Sequence, residues 1–508
     1  MNKLLAMIVV FVAVFIGGSV MSAQDTSIYK EPYRLQYHYS PPCQWLNDPN
    51  GLVYLDGEYH LFYQYHPDGL NWGPMHWGHA ISSDLVHWET LPVALYPDEN
   101  GTIFSGSIVL DVDNTAGFGE NAMVAIYSYN TQTQGVAYST DHGRTWTKYS
   151  GNPVMEALAK DFRDPKVFWH DESQQWVMSI AVGREVQFYK SHNLLVWDYL
   201  SDFTVLGTSG IWEVPDLIPM DVNGQTKWVL IVSINGGTPA GGSGTMYFVG
   251  DFDGETFVQD VPQEILWLDY GADNYAGTTF YNAPDGRFIH LGWMSNWAYA
   301  EKIPTSTWRG SMTIPRDLSL VETSAGFRVI QTPVPEFDQL RQSSQVWDTI
   351  TLQDEAQTLE GVNGRALDVL LELDPNTAMR SGISIHHNDQ SETRIMYNPT
   401  VSQVIIKRSS TAGDAAIGGF MTIFGAPVEL VDGTLNLRLL VDESSVEVFI
   451  NGGETALTSR TFGDAGADGI QLFAEEGDAS FTNVEVFQVA SIWGTDGLNP
   501  ADYPTYCK

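Results

Sequence analysis

Cationic residues are scarce in this chain. Lys and Arg total 25 against 62 Asp and Glu, a formal net charge of −37 over 508 residues. A surface of that sign repels nucleic-acid phosphates and anionic lipid, so neither is an expected partner, and an uncharged ligand suits it better. Cysteine is scarcer still. Cys43 and Cys507 are the only two, which excludes a scaffold built on disulfides and leaves open whether they pair. Long apolar runs are missing too, except for LLAMIVVFVAVFIGGSV behind Lys3, which Gly17, Gly18 and Ser19 interrupt before the small residues of MSAQ. A positive start, an apolar centre and a small-residue cut site are the marks of a secretory leader, here residues 1–23 with cleavage after Ala23. The expected location is therefore secreted or periplasmic, with no membrane contact after cleavage. The 12 His lack the spacing of a zinc site, and HHND at 386–389 reads as an exposed turn. No glycine-rich phosphate loop or dinucleotide fingerprint is present, so no metal and no cofactor are expected.

Aromatic residues are abundant, with 16 Trp, 23 Tyr and 23 Phe, and they recur in a pattern. Strand-like runs rich in Tyr, Phe and Val lead through a polar turn to a closing aromatic, successively Trp88, Trp146, Trp197 and Phe257, in steps of 58, 51 and 60 residues. Alternation in runs such as HLFYQY, bounded by Gly, Asp and Pro, predicts strands. An all-β unit repeating about every 50 residues predicts a propeller, and five blades fit residues 30–331. The stretch STDHGRTW matches an Asp-box, a turn found on blade edges of sialidases and other propellers, and reads as structural.

Pro333 and Pro335 interrupt the pattern, which predicts a linker over 332–345. Beyond it LNLRLLVDESSVEVFINGG reads as a hairpin, with Leu435, Leu437 and Leu439 on one face and Val446, Val448 and Ile450 on the other strand. A β-sandwich over 346–490 is expected, with a tail of little periodicity over 491–508.

Three carboxylates stand out by context. Asp48 lies in WLNDPNG, which reads as a glycine-closed bend; Asp164 lies in FRDPKVFW and Glu213 in IWEVPDLIP. Each has a proline close behind it and falls near the start of a different repeat, so blade geometry could gather them at one channel mouth. A sugar hydrolase needs one ionised carboxylate to attack or steady the anomeric carbon and one protonated carboxyl for the leaving oxygen. Trp212 and Val214 would desolvate Glu213 and suit it as proton donor; Arg163 would keep Asp164 ionised. Taken alone, each also reads as a turn cap, a surface ion pair or a strand end.

WLNDPNG, FSGS at 104–107, RDP at 163–165 and EVPD at 213–216 stand in the order seen in glycoside hydrolase family 32, the family of invertases, exo-inulinases and levanases. NWGPMHWGHA, GWMSNW, IPTSTWRGSMTIPR and LLVDESSVEVFINGGE resemble further blocks, so the likeness covers nearly all of the mature chain. The resemblance implies Asp48 as nucleophile, Glu213 as acid/base and Asp164 as transition-state stabiliser, with Asn47 and Arg163 touching the sugar. It further implies Gln64, Trp72, Phe104 and Ser105 as pocket wall, Asp273 in ADNYAG as a partner of sugar hydroxyls, and Trp293 as the indole contact ahead of Trp297. One departure is Val214, where many relatives carry Cys; another is Leu46 for the commoner Met, a volume-conserving change.

These readings converge on an all-β, exported, retaining hydrolase. It is expected to release terminal non-reducing β-D-fructofuranosyl units from sucrose, inulin or levan through a covalent fructosyl-enzyme. Alternatives are an endo-acting or sugar-transferring enzyme on the same scaffold, a sialidase-like hydrolase, and a non-catalytic glycan-binding propeller. Oligomeric state is not legible.

Overall fold

In a computed structural model, the structure describes residues 28–362, 364–408, 417–464, 466–493 and 507. The leader and most of the 491–508 tail lie outside the described residues. Five antiparallel sheets, each built on four strands, follow one another from Gln44 to Pro333. Their innermost strands are Gln44–Leu55, Ile103–Asp111, Phe162–His170, Trp212–Val222 and Tyr275–Thr279. Trp308–Arg309, an excursion of the fifth blade, pairs in parallel with Gln44 and Trp45 of the first and closes the ring.

The repeat seen in the sequence is one turn made several times. Asp84, Asn193 and Asp253 each accept backbone N–H bonds from the residues two and three places on. Asp141 of the Asp-box caps its turn by accepting from the Ser139 hydroxyl and from the Thr145 backbone N–H four places on. The indoles of Trp88, Trp146 and Trp197 each donate to the carbonyl three residues back. A side chain that satisfies its own turn's backbone lets the third and fourth strands of these four blades meet without tertiary help.

The second domain packs a seven-stranded sheet, ordered 341–347, 478–489, 367–374, 435–442, 445–450, 455–460 with 350–353 also paired to 478–489, on a six-stranded sheet. Its core holds Leu435, Leu437, Leu439, Val446, Val448 and Ile450, as alternation predicts. No free linker separates the domains. The last propeller strand runs to Pro333, a 3-10 turn occupies Pro335–Leu340, and the next strand starts at Arg341. The prolines stop the pairing of one strand but seat the 3-10 turn, whose Phe337 and Leu340 are buried. HHND differs as well: His386 is buried and His387 half-buried on the strand Arg380–His387, and only the residues after them turn.

Buried charges join the domains. His38 bonds Asp442 at 2.7 Å and Glu447 at 2.8 Å, Arg316 pairs with Asp269 at 3.0 Å and with Glu447, and Arg408 pairs with Asp273 at 3.0 Å. Each ion has a partner of opposite sign, the condition under which burial of charge is tolerated. Cys43, just ahead of the first strand, is disulfide-bonded to Cys507.

Candidate active site

Asp48 does not sit on a bend. WLNDPNG lies inside the strand Gln44–Leu55, and the pairing with its neighbour slips between Leu46 and Pro49 and again between Asn50 and Val53. Proline survives there because an innermost strand has a free edge toward the channel and loses no ladder bond. Gly51 has φ +52°, and a Cβ there would stand 2.7 Å from the Ile108 side chain, so the second slip demands glycine.

All five innermost strands slip within one residue of the same place. The register slips over the first two residues of Asn47-Asp48-Pro49 and Phe104-Ser105-Gly106 and over the last two of Arg163-Asp164-Pro165, Glu213-Val214-Pro215 and Tyr275-Ala276-Gly277. A bulge re-aims the side chains beside it. Asp164, Val214 and Ala276, the middle residues in three blades, all have positive φ, at 66°, 46° and 53°. The N–H groups freed by the bulges find side-chain acceptors: Asp164 donates to Ser128 Oγ, Val214 to Asp164 Oδ2 and Ala276 to Ser233 Oγ. Five equivalent tripeptides thus converge on one hub.

A pocket of about 460 Å³ opens over that hub. Asp48, Asp164 and Glu213 line it, with Asn47, Gln64, Ser105 and Arg163 around them. Asn47 and Gln64 are almost fully buried, whereas Trp72 is 45% exposed and Phe104 stands against it, ring centroids 5.8 Å apart. The pocket therefore has a polar floor and an aromatic rim.

The charges are closely coupled. Arg163 Nη2 donates to Glu213 Oε1 at 2.7 Å, and Tyr275 Oη donates to Glu213 Oε2. Arg163, Glu213 and Tyr275 hold the same place in successive blades, so one contact chain crosses three of them. Arg163 stands farther, at 3.9 Å, from Asp164. Burial pushes the Glu213 carboxyl up to about 7; Arg163 opposes the shift, and the like charges of Asp164 and Asp48 add to it. Burial also pushes Asp48 up to about 7, opposed by the neighbouring Asn47 amide, with the Asp164 charge adding. Burial raises Asp164 too, against Arg163. Asp48 Oδ2 accepts from Ser105 at 3.3 Å, while Oδ1 is buried without a hydrogen-bond partner. A buried acceptor left without a partner is rare in a folded protein and calls for an explanation such as a catalytic role.

Two expected contacts lie elsewhere. Asp273 is fully buried, and its carboxylate accepts from Tyr299, from Arg408 at 3.0 Å and from the Arg460 backbone at 2.8 Å, which leaves it none of the reach a sugar hydroxyl needs. Tyr275, two residues on, is the member of ADNYAG that reaches the site. Trp293 is fully buried among Trp45, Tyr275 and Trp297, and of Trp293 and Trp297 it is Trp297 that lines the pocket. Asn235 also lines the pocket, its Oδ1 accepting from the Ile211 backbone. Tyr275 could have been found by aligning the five tripeptides, all with Pro or Gly in third place; for Asn235 no sequence signal stands out. Among the described residues no three His, Cys, Asp or Glu gather as a metal site.

Comparison with known proteins matches this geometry. The profile of the Glycosyl hydrolases family 32 N-terminal domain matches residues 38–333, and that of the Glycosyl hydrolases family 32 C terminal matches 336–488. A levanase of Bacillus subtilis (strain 168) is 44% identical over 513 residues, covering 97% of this chain and 76% of that protein. The crystal structure of exo-inulinase from Aspergillus awamori superimposes with a TM-score of 0.85 at 36% identity, over 92% of this chain and 100% of that one. A fructofuranosidase from Schwanniomyces occidentalis complexed with fructose gives 0.80 at 32%, over 92% and 100%. Matched across both domains, the chain belongs to glycosyl hydrolase family 32.

Proposed function

We propose that this protein is an exported, retaining β-fructosidase that releases terminal β-D-fructofuranosyl units from sucrose or fructans. The observation that carries this reading is the meeting of Asp48, Asp164 and Glu213, from the first, third and fourth blades, in one pocket. Asp48 attacks the anomeric carbon with a carboxylate oxygen while Glu213 gives its proton to the departing glycosidic oxygen. The C–O bond breaks, and an ester between Asp48 and fructose forms. Glu213, now an anion beside Arg163, takes a proton from water, whose oxygen attacks the same carbon and frees Asp48. Asp164, held by the Val214 N–H, bonds ring hydroxyls and steadies the positive charge at the anomeric centre.

The depth gradient supports exo action: a closed floor of Asn47 and Gln64 admits a chain end, and the rim at Trp72 meets the next glycosyl unit. Export rests on the leader at 1–23 and on the Cys43–Cys507 disulfide, a bond of oxidising compartments. A fluorinated fructosyl donor tests the roles. It should label the peptide containing Asp48, and fructose should leave with its anomeric configuration kept. Label on another residue, or inversion, sinks the assignment. Product chromatography with time separates exo from endo: free fructose from the outset against short oligomers.

A further inference from the structure

Where the ring closes, one side chain joins two loops of the pocket mouth. Arg309 lies on the short strand that pairs beside Gln44 and Trp45. Its Nη1 donates to the Leu70 carbonyl at 3.0 Å and Asn71 Oδ1 at 2.8 Å, both in the first-blade loop that carries Trp72. The same guanidinium donates to the carbonyls of Glu301 at 2.6 Å and of Ile303 and Thr305 at 3.3 Å, in the fifth-blade loop that follows Trp297. A second link runs alongside, from the Trp72 backbone N–H to Glu301 Oε1 at 3.1 Å. The two loops come from opposite ends of the propeller sequence. Trp72 and Trp297 are the two indoles that line the pocket.

We propose that Arg309 is a positioning residue for the leaving-group side of the pocket. It holds the Trp72 and Trp297 loops at one separation and so sets which glycosyl unit beyond the scissile bond is accepted. This deepens the β-fructosidase reading and rests on it. The catalytic carboxyls sit on innermost strands pinned by their own bulges, whereas Trp72 sits on a loop, 45% exposed, and depends on what ties that loop down. A planar fork with several donors can serve acceptors on two loops at once; a lysine ammonium cannot present the same fan. Rim aromatics stack on a sugar only at van der Waals spacing, so loss of the fork weakens leaving-group binding and leaves the fructosyl floor intact.

Kinetics on sucrose, short fructan oligomers and inulin, with fructose as a floor-only inhibitor, test this in Arg309→Gln and Arg309→Lys. For Arg309→Gln the expected result is a KM for oligomers raised about tenfold, with kcat and fructose inhibition within about twofold of wild type. Arg309→Lys should fall between. Acrylamide quenching of indole emission should rise in Arg309→Gln and not in Arg309→Gln combined with Trp72→Phe. Equal losses on every substrate and in fructose binding, or no change in KM, overturn the proposal. If Arg309→Gln does not fold, Glu301→Ala at an exposed position removes only the Trp72 link; it should raise KM in the same sense, and an unchanged KM counts against the staple. Wild type inactive on every β-fructoside would instead overturn the function itself.

Discussion

Arg163 donates to Glu213 at 2.7 Å across two blades and stands 3.9 Å from Asp164, its neighbour in sequence. The bulge at Asp164 turns the neighbouring guanidinium toward the fourth blade, so the cation beside Asp164 in the sequence serves a carboxyl 50 positions away. Arg163 is the largest influence holding Glu213 down against burial. Replacing it with Gln should raise the Glu213 pKa above about 7. A general acid must be protonated, so the alkaline limb of kcat/KM should move to higher pH while the rate falls about 10²-fold. A limb that stays in place would separate Arg163 from the titration.

Stability should report the same carboxyl. The folded pKa of Glu213, about 7, lies above its ordinary value, so the folded state binds more protons than the unfolded one between those values. Its contribution is fully present below the unfolded pKa and is lost as pH rises through the folded one. Glu213→Gln cannot titrate. Its melting temperature should exceed wild type's at pH 8, by a gap worth about 1–3 kcal/mol that shrinks toward pH 4. A gap independent of pH would contradict the shift.

Val214 carries a branched β-carbon at φ +46°, a region β-branched residues rarely enter. Val214→Cys removes the branch and keeps a small apolar side chain. Stability should rise by about 1 kcal/mol, read from denaturant midpoints. Activity should survive, and the thiol beside Glu213 should move the alkaline limb; an unchanged pH profile removes that inference.

Arg408 is buried against Asp273 across the domain interface. Arg408→Met would leave that carboxylate facing Tyr299 and the Arg460 backbone without its ion partner. The expected loss is about 3–5 kcal/mol in chemical denaturation. A loss below about 1 kcal/mol would mean that Arg460 compensates.

Composition, alternation and the aromatic repeat are enough to reach an all-β chain with a propeller and a sandwich, because these are local signals: period two along a strand and turns capped by their own side chains. The three carboxylates were legible for a related reason. Each lies beside a proline that only an unpaired inner edge tolerates, and that edge lines the channel. Tertiary structure decided what depends on where strands slip and which loops meet. The bulges turned Arg163 toward Glu213 and brought Tyr275 to the site, while the packing of the second domain drew Asp273 away to Arg408. Trp297 in place of Trp293 has the same cause, since a loop indole can reach the pocket only where neighbouring elements leave it room. Sequence distance carries no record of that room; it exists only once the ring has closed at Arg309.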